Sequence, residues 1–512
     1  MIQLMYILKG GFFMKKRILA LLLAMLMVLP IVSCASDQTP SGNDTTNAQG
    51  NETADPSQTT PAETEPEYKP DLPEVKYDGE QLVILNRGPD ASTYKEVCIY
   101  AEEPTGDLVN DSVYRRNKII EEKYGIEIVS VVKDNVSDAI QISAQSQTDE
   151  YDIAFPQMRL ISSLSTSGYL YNLHDLNYVD FEKPYWDSNF NEDLTIHGKL
   201  YAMVSDISVM NLIYTRGIIF NRDLAEKNNL EDPYTLVKNN EWTLDKMIEM
   251  AAAVSNDLNG DQVYDDLDQY GVLTESSNYV YFIASCGIDL IKQDADGNLT
   301  VGFNNEKSIN IIEKWRALYT DQTHAIDYSD LGNTAGAATI GSKWLYGRQI
   351  FANGQILFLQ NGASQFKELV EFEMKDEYGI LPQPKYDSEQ ERYYHLPDES
   401  STVLVIPSTN DDYDRIAILV EDLAYYSNQT VLPAYYENVI KIRQSKVPEV
   451  AEMLDIIKNS MIYHLGLVYS IDVASTIITA ASSGNIASSF KGGEKRLNKL
   501  LTNLGQKLEE LP

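Results

Sequence analysis

Short apolar strands alternate with polar or amphipathic helices over the first part of the folded chain. The pattern predicts a strand over 82–85, a helix over 111–124 closed by Gly125, a strand over 126–132, a polar helix, and a strand over 152–155. Strands that alternate with helices in this way favour a largely parallel sheet with helices on both faces. The pattern therefore predicts an α/β fold.

Later segments carry the start signals and apolar spacing of helices. Thr243 is a typical N-cap, and 308–318 has apolar residues at helical spacing. One-sided apolar stripes predict two further helices, one over 411–426 and one in the last segment, where leucines recur from Leu497 to Leu508. The polar face of the last helix mixes both charges, so we expect it to pack on the body of the protein; a helix lying on a membrane is the alternative.

The N-terminal pattern is typical of an exported, lipid-modified protein. Basic residues at 15–17 precede an uncharged apolar run over 18–29, and Ile31, Val32 and Ser33 then lead to Cys34. This order is that of the n-region, h-region and lipobox of a bacterial lipoprotein signal peptide, which would span 1–33. The run is too short to cross a bilayer core of about 30 Å, so a retained transmembrane helix is the weaker alternative.

The segment that follows the signal, 34–77, is predicted to be a lipidated cysteine and a disordered acidic tether. Residues 35–70 are rich in Ser, Thr, Asp, Glu and Pro, so they cannot bury enough apolar area to fold alone. An ordered extension packed on the domain is the alternative. Two acyl chains on Cys34 would hold the protein on the extracellular face of the cell membrane. Met1 and Met14 are both candidate initiators.

The net charge argues against two classes of binding partner. The formal net charge of −35 argues against nucleic acid and against binding of the folded part to anionic lipid.

After Cys34, only Cys98 and Cys286 remain; we expect two free, buried thiols, and a single disulfide is the alternative. We also expect a monomer.

Enzyme motifs are missing from the sequence. The five histidines include no pair at i, i+4, and the chain has no Gly-x-Ser-x-Gly elbow, phosphate loop or dinucleotide glycine pattern. We therefore predict a protein that is not an enzyme and requires no cofactor.

Six phrases, in order along the chain, resemble those of one family. They lie at 168–176, 197–203, 213–224, 241–246, 351–356 and 378–384, and read GYLYNLHDL, HGKLYAM, IYTRGIIFNRDL, EWTLDK, FANGQI and YGILPQP. They are similar to phrases of the family 1 extracellular solute-binding proteins of ABC importers, the maltose-binding-protein group. The resemblance covers roughly 78–512, and it departs from the family at Met203-Val204, where proline is usual.

The resemblance implies a two-lobed periplasmic-binding-protein-like fold of type II, with discontinuous lobes joined by hinge strands. By analogy, 78–205 and 356–408 would form lobe 1, and 206–355 and 409–512 would form lobe 2. The crossings between lobes would lie near 204–211, 355–359 and 406–411. The ligand would be held in the cleft between the lobes, which would close by a hinge motion.

Ligand groups in such a fold come from loops at strand ends and from the crossings. A sugar presents hydroxyls around flat apolar faces, so its site needs aromatic platforms beside charged or amide groups. The ligand-binding residues predicted on this basis are Asn86, Arg87, Gln157, Arg159, Asp206, Glu275, Tyr279, Trp344, Asn361, Tyr463 and His464. For each of them a purely structural role is the alternative.

A separate acidic segment has the spacing of a calcium loop. Its candidate ligands are Asp257, Asn259, Asp261, Val263, Asp265 and Asp268. Gln262 stands where such loops have glycine, and Asp268 is shorter than the usual bidentate glutamate. A structural calcium and an acidic, solvated turn are thus two alternatives.

The leading hypothesis is a membrane-anchored receptor that captures a carbohydrate, especially an oligosaccharide, for the permease subunits of an ABC importer. A peptide or another polar solute is an alternative ligand, because lobes and a hinge do not specify chemistry. A surface glycoside hydrolase is the rival, because 76 Asp and Glu residues could supply two suitably spaced carboxylates. A sensory or adhesive protein that binds without transport is a third hypothesis.

Overall fold

The computed structural model describes residues 68–91, 95–442, 448–469 and 472–511. The predicted signal peptide, Cys34 and the tether up to residue 67 lie outside these residues. The described elements all belong to one unit, Glu65–Pro512. Within the described ranges, every helix is too short or too polar to cross a membrane.

The described strands are β1 (Gln81–Asn86), β2 (Glu127–Val132), β3 (Ile153–Ala154), β4 (Gly217–Asn221), β5 (Tyr270–Thr274), β6 (Ile291–Gln293), β7 (Leu299–Val301), β8 (Ala325–Asp327), β9 (Ile356–Asn361) and β10 (Tyr378–Leu381). The helices up to β9 are α1 (Leu108–Tyr124), α2 (Val136–Ser146), α3 (Ile161–Ser165), α4 (Ser188–Leu194), α5 (Met210–Tyr214), α6 (Arg222–Lys227), α7 (Pro233–Lys238), α8 (Leu244–Ala253), α9 (Asn278–Ser285), α10 (Glu306–Tyr319), α11 (Tyr328–Leu331), α12 (Ala335–Ile340) and α13 (Lys343–Ala352). The later helices are α14 (Phe366–Glu371), α15 (Tyr413–Ile442), α16 (Pro448–Asn459), α17 (Leu465–Val468), α18 (Val473–Ser483) and α19 (Ile486–Glu510). Short 3-10 turns lie at Met158–Leu160, Leu173–Asp175 and Ala363–Gln365.

The first sheet has the order β2-β1-β3, and all its strands are parallel, as the alternating pattern predicts. Helix α1 connects β1 to β2 and begins earlier than expected, because the side chain of Asp107 accepts a hydrogen bond from the N–H of Asn110. It ends at Gly125, whose φ of 67° is left-handed and whose N–H donates to the carbonyl of Glu121.

The second sheet has the order β10-β4-β9-β5-β8. Strand β4 is antiparallel to β10 and β9, whereas β5 is parallel to β9 and β8. All residues of β4, β5 and β10 are buried, which explains why they read as continuous apolar runs instead of alternating ones. The two-lobed α/β architecture predicted from the sequence thus has one main sheet in each half, and β6 and β7 form a separate antiparallel pair.

The structure differs from the expected lobe boundaries at two places. Strands β9 and β10 were expected beside the first sheet, within 356–408, but they pair with β4 and β5 in the second sheet. The segment 355–359 therefore lies inside this sheet and is not a crossing. Helix α15 was expected in the other lobe, within 409–512, but it packs on α1, where the Tyr124 hydroxyl donates to Asp422 at 2.9 Å. Hydrophobic pattern identifies a strand or helix but not the sheet that it joins.

Two connections between the sheets are clear in the structure. The first crossing, 204–216, follows Met203, which bridges to Leu404 beside the first sheet, and ends directly before β4. The second crossing, 395–402, leads from β10 back to the first sheet, where Val405 bridges to Ala154. The segment 406–411 continues on the first-sheet side into α15.

The last helix, α19, contacts both halves of the molecule. Its Asn498 Oδ1 accepts a hydrogen bond of 2.8 Å from the N–H of Val301 in β7. At its other end, Lys199 Nζ donates to the carbonyl oxygens of Glu509, at 3.2 Å, and Leu511. The helix packs on the body of the protein, as predicted, with Leu497, Leu501, Leu504 and Leu508 buried and Leu500 exposed.

Both remaining thiols are free and buried, as expected. Burial raises the pKa of Cys286 to about 12 and also raises the pKa of Cys98. Neither thiol is therefore poised to react as a thiolate near neutral pH.

A buried carboxylate in α15 makes the fold sensitive to pH. Glu421 accepts hydrogen bonds from the Tyr185 hydroxyl at 2.5 Å, the Trp186 indole N–H at 2.8 Å and the Asp180 N–H at 3.3 Å. Burial raises its pKa to about 7, against the lowering effect of these donors. The folded protein therefore binds this proton more tightly than the unfolded chain does.

The wild type should become less stable as the pH rises from 4.5 to about 7, because Glu421 loses its proton in this range. We expect Glu421→Gln to lack this decrease. Because the folded-state pKa is raised, the wild type should lose up to about 3 kcal/mol of unfolding free energy from this group across that window. Urea unfolding at pH 4.5 and pH 8 measures the effect, with exposed Glu226→Gln as the control. An equal difference between wild type and Glu421→Gln at both pH values would contradict the prediction.

Candidate functional site

An arginine whose side chain is only 17% exposed lies where the first crossing enters the second sheet. Arg216 Nη2 donates to Asp398 of the second crossing at 3.0 Å, and Nη1 pairs with Glu275 just after β5. Nη1 also donates to the Ser277 hydroxyl at 3.3 Å, and the guanidinium carbon lies 4.4 Å from the centre of the Tyr281 ring. One guanidinium thus joins both crossings to the end of a central strand.

The first sheet supplies a second arginine to the same region. Arg159 follows β3, and its backbone N–H donates to the carbonyl of Glu399 at 2.9 Å. Burial and the neighbouring Asp398 raise the pKa of the Glu399 carboxyl, whereas the charges of Arg159 and Arg216 oppose this rise. The Glu399 carboxylate is therefore within the fields of two guanidinium groups. We call Arg159, Arg216, Glu275, Asp398 and Glu399 the interlobe cluster.

An exposed aromatic side chain stands beside the interlobe cluster. The Trp344 ring is 41% exposed, and its centre lies 4.4 Å from that of Tyr328. Tyr328 is buried, and its pKa is raised by burial and by the charge of Glu275, with Arg348 and Arg216 acting in the opposite direction. The pair of rings therefore borders the second-sheet side of the cluster and presents an indole to solvent.

The end of β9 also reaches this region. Asn361 Oδ1 accepts a hydrogen bond of 2.9 Å from the N–H of Gly362. A side-chain carbon at Gly362 would lie only 2.7 and 2.8 Å from the carbonyl oxygens of Ile213 and Thr215 in the first crossing. Only glycine permits this close approach, which brings the end of β9 next to Arg216.

Several residues predicted for the site occur in this region. Arg159 and Glu275 belong to the interlobe cluster, and Gln157 accepts a hydrogen bond of 3.0 Å from Arg159. Trp344 and Asn361 lie at its border. The structure therefore brings together five of the predicted residues, from both sheets.

Other predicted residues have contacts elsewhere. Asn86 is buried, accepts from the Gly88 N–H at 2.7 Å and donates to the Ser130 hydroxyl at 2.8 Å, so it holds the turn after β1 that includes Arg87. Tyr279 is buried against the Tyr319 ring, with the centres 5.5 Å apart.

The remaining three predicted residues line two cavities. Asp206 accepts hydrogen bonds from Asn428 and Lys458 beside one of them. Tyr463, whose hydroxyl donates to Asp187 at 2.7 Å, and His464 line the other. Burial lowers the pKa of His464 to about 4, so its ring is neutral near pH 7.

Sequence reasoning missed three members of the interlobe cluster. Arg216 is a charged residue directly before the apolar strand β4, and Asp398 and Glu399 are adjacent acids after Pro397. A charged residue directly before a buried strand indicates a nearby residue of opposite charge, because an unpaired charge at the end of a buried strand is costly. The pairing itself joins residues far apart in sequence, which periodicity does not reveal.

The structure does not support the predicted calcium site. Among the described residues, no three His, Cys, Asp or Glu side chains are grouped to hold a metal ion. Asp257 accepts hydrogen bonds from the N–H groups of Gly260 and Gln262, and Asp268 accepts from Leu258 and Asp265, all between 2.7 and 3.0 Å. The carboxylates stabilise the turn itself, as in the alternative reading of this segment.

A family model described as bacterial extracellular solute-binding protein matches residues 117–417. This chain belongs to that family. The match spans the first sheet's later elements, both crossings and the whole second sheet, and it confirms the resemblance seen in the sequence phrases. No curated protein matches the chain.

Solved structures of solute-binding proteins are similar to this member of the family. An ABC substrate-binding protein from Listeria monocytogenes, in complex with cycloalternan, is 13% identical, with a TM-score of 0.52; the match covers 83% of this chain and 99% of that one. The GacH receptor of Streptomyces glaucescens is 14% identical over 85% of this chain and all of its own, with a TM-score of 0.49. An ABC transporter solute-binding protein from Thermotoga lettingae, bound with α-D-tagatose, is 15% identical over 83% of this chain and all of its own, also at 0.49. The Listeria protein confirms the two-lobed fold.

We expect Arg216→Gln to lower the free energy of unfolding by about 1 to 3 kcal/mol, because it leaves two largely enclosed carboxylates without their partner. Arg222→Gln is the matched control, since it breaks the more exposed pair with Glu226 and should cost less than about 1 kcal/mol. Urea unfolding at pH 7 compares the two variants. Equal losses of unfolding free energy in the two variants would show that the pairs of Arg216 with Glu275 and Asp398 stabilise the fold no more than an exposed ion pair does.

Proposed function

We propose that this solute-binding protein captures a carbohydrate, especially an oligosaccharide, and delivers it to the permease subunits of an ABC importer. The observation that carries the proposal is the interlobe cluster with the exposed Trp344 ring at its border. In this proposal the ligand lies between the two sheets, against residues from both halves and from both crossings.

The chemistry of the cluster suits a sugar. Guanidinium and carboxylate groups that alternate in space can donate to and accept from neighbouring hydroxyls at the same time. The exposed part of the Trp344 indole, beside the Lys343 ammonium that lies 4.8 Å from the ring centre, offers an apolar surface on which a sugar ring can pack. Charges of both signs in the cluster favour a neutral, polar ligand over a strongly charged one.

The residues proposed to bind the ligand include five that the sequence predicted and three that the structure adds. They are Gln157, Arg159, Arg216, Glu275, Trp344, Asn361, Asp398 and Glu399. The complex of the Listeria protein with cycloalternan supports a carbohydrate ligand for this chain, although the shared property is the fold.

A receptor and a hydrolase differ in the fate of the sugar. The carboxylates of Glu275 and Asp398 are both paired with Arg216. Pairing of both carboxylates with one guanidinium suits the binding of sugar hydroxyls better than it suits proton transfer to a leaving group. The proposal therefore requires that the sugar leaves the site unchanged.

We expect the purified protein to show a rise in melting temperature with one or more oligosaccharides, and the sugar to be recovered intact. Trp344→Ala and Glu399→Gln should each weaken binding at least tenfold in calorimetry, from loss of stacking and of a charged hydrogen-bonding group. Tyr178→Ala is the control, since that residue is 45% exposed and makes no hydrogen bond or ring contact with a member of the cluster in the described structure. Recovery of cleaved sugar would favour a hydrolase. A rise in melting temperature with a peptide, and with no sugar, would show that the ligand is a peptide.

We also propose that the protein is held on the extracellular face of the membrane by lipid on Cys34. The basic, apolar and small residues before Cys34 support this, and an acidic tether would separate the anchor from the folded part. Removal of 1–33 would make Cys34 the first residue of the mature protein.

We expect Cys34→Ala to release the protein from the membrane fraction, because two acyl chains are needed for stable anchoring. Detergent partitioning followed by mass spectrometry of the N-terminal peptide measures both location and lipid. Cys98→Ala is the control thiol. An unmodified N-terminal peptide in membrane-bound wild type would refute the anchor.

A further inference from the structure

A buried glutamine contacts the main chain of Arg216. Gln383 follows β10 by two residues, and its Nε2 donates to the carbonyl oxygens of Arg216 at 3.2 Å and Gly217 at 3.4 Å. Its Oε1 accepts a hydrogen bond of 2.9 Å from Gln360 in β9. The side-chain amide of Gln383 therefore directs both of its N–H groups at the point where the first crossing becomes β4.

A buried histidine holds Gln383 in place. The Gln383 N–H donates at 2.8 Å to Nε2 of His395, the first residue of the second crossing, and Nδ1 of the same ring lies 2.8 Å from the Ser460 hydroxyl. Because Nε2 accepts a hydrogen bond, the neutral ring carries its proton on Nδ1 and donates to Ser460, whose hydroxyl in turn donates to the carbonyl of Ile456. Burial lowers the pKa of His395 to about 3, so the ring stays neutral near pH 7.

The second crossing also binds the N–H of Arg216. This N–H donates to the carbonyl of Leu396, the residue after His395, at 3.4 Å, and the preceding Thr215 bridges to Pro397. A guanidinium that pairs with two carboxylates needs its main chain placed within about 0.5 Å, because a larger shift would lengthen one of the pairs. Both polar groups of the Arg216 main chain are thus bound by residues that adjoin His395 or bond to it.

We propose that Gln383 and His395 are positioning residues for the ligand site. His395 orients Gln383, and Gln383 fixes the main chain from which the Arg216 guanidinium reaches Glu275 and Asp398. Both side chains are only 1% exposed, so each acts through Arg216 and not by contact with the sugar. The effect on sugar binding rests on the proposed function, whereas the placement of Arg216 does not depend on any ligand.

The two ring nitrogens of His395 have different roles in this proposal. Nε2 acts on the ligand site through Gln383, whereas Nδ1 binds Ser460 and contributes to stability alone. His395→Gln can place an amide oxygen near the position of Nε2 and keep the bond from Gln383. His395→Asn can place an amide nitrogen near the position of Nδ1 and keep only the bond to Ser460.

The first measurement is amide hydrogen exchange over 214–218 in the purified full protein without sugar, read by mass spectrometry. We expect His395→Asn and Gln383→Met to exchange this segment at least about fivefold faster than the wild type, because the Arg216 main chain loses its anchor. His395→Gln and Ser460→Ala are the matched controls. They should stay within about twofold of the wild type, although each loses a buried hydrogen bond.

The second measurement is calorimetry with cycloalternan, the sugar bound by the Listeria protein. We expect His395→Asn and Gln383→Met to weaken binding about tenfold, and the two control variants to bind as the wild type does. All variants are compared at a temperature where their melting curves show them folded, and Gln383→Met against Ser460→Ala decides if His395→Asn does not fold.

Equal exchange in His395→Asn and His395→Gln, or exchange at the wild-type rate in Gln383→Met, would overturn the proposal. Faster exchange with unchanged sugar binding would overturn it as well. A wild type that does not bind cycloalternan would count against the proposed ligand class alone, because the exchange rates are measured without sugar.

Discussion

The buried guanidinium of Arg116 is the contact on which the first half of the structure depends. Its nitrogens donate to the carbonyl oxygens of Cys98, Ile99 and Ile207 and to the Ser427 hydroxyl, at 2.8 to 3.0 Å. One side chain thus joins α1, the segment after β1, the first crossing and α15. Burial lowers the pKa of Arg116 to about 10, so the group stays charged near pH 7 and its carbonyl partners are held by charge-assisted bonds.

A buried carboxyl group, that of Glu96, extends this network toward the interlobe cluster. Glu96 accepts hydrogen bonds of 2.8 Å from the hydroxyls of Ser208 and Thr402, one in each crossing, and burial raises its pKa. The two crossings are therefore fixed side by side before they reach Arg216 and Asp398. Glu96 therefore helps to fix the geometry of the proposed ligand site, although it is not one of the residues proposed to bind the ligand.

The sequence identified local structure better than long-range pairing. The helix end at Gly125 and the N-cap at Thr243 were predictable, because each depends on neighbouring residues. The sheet joined by β9 was not, because an apolar run carries no information about its partner strands. The same limit explains the site: Glu275 was found as a strand-end residue, whereas the link from Arg216 to Asp398 spans 182 residues.

Helix α19 has a mechanical consequence for a two-lobed molecule. Its 25 residues form a rod of roughly 37 Å, at 1.5 Å of rise per residue, with contacts to the β7 region along its body and to Lys199 at its end. A stiff rod fixed at two places cannot follow a rotation of one half against the other without losing one attachment. The body contacts include buried leucines, whereas the Lys199 contacts are more exposed and cost less to break. Opening of the lobes would therefore release the tip of the rod first and carry its body along with the second sheet.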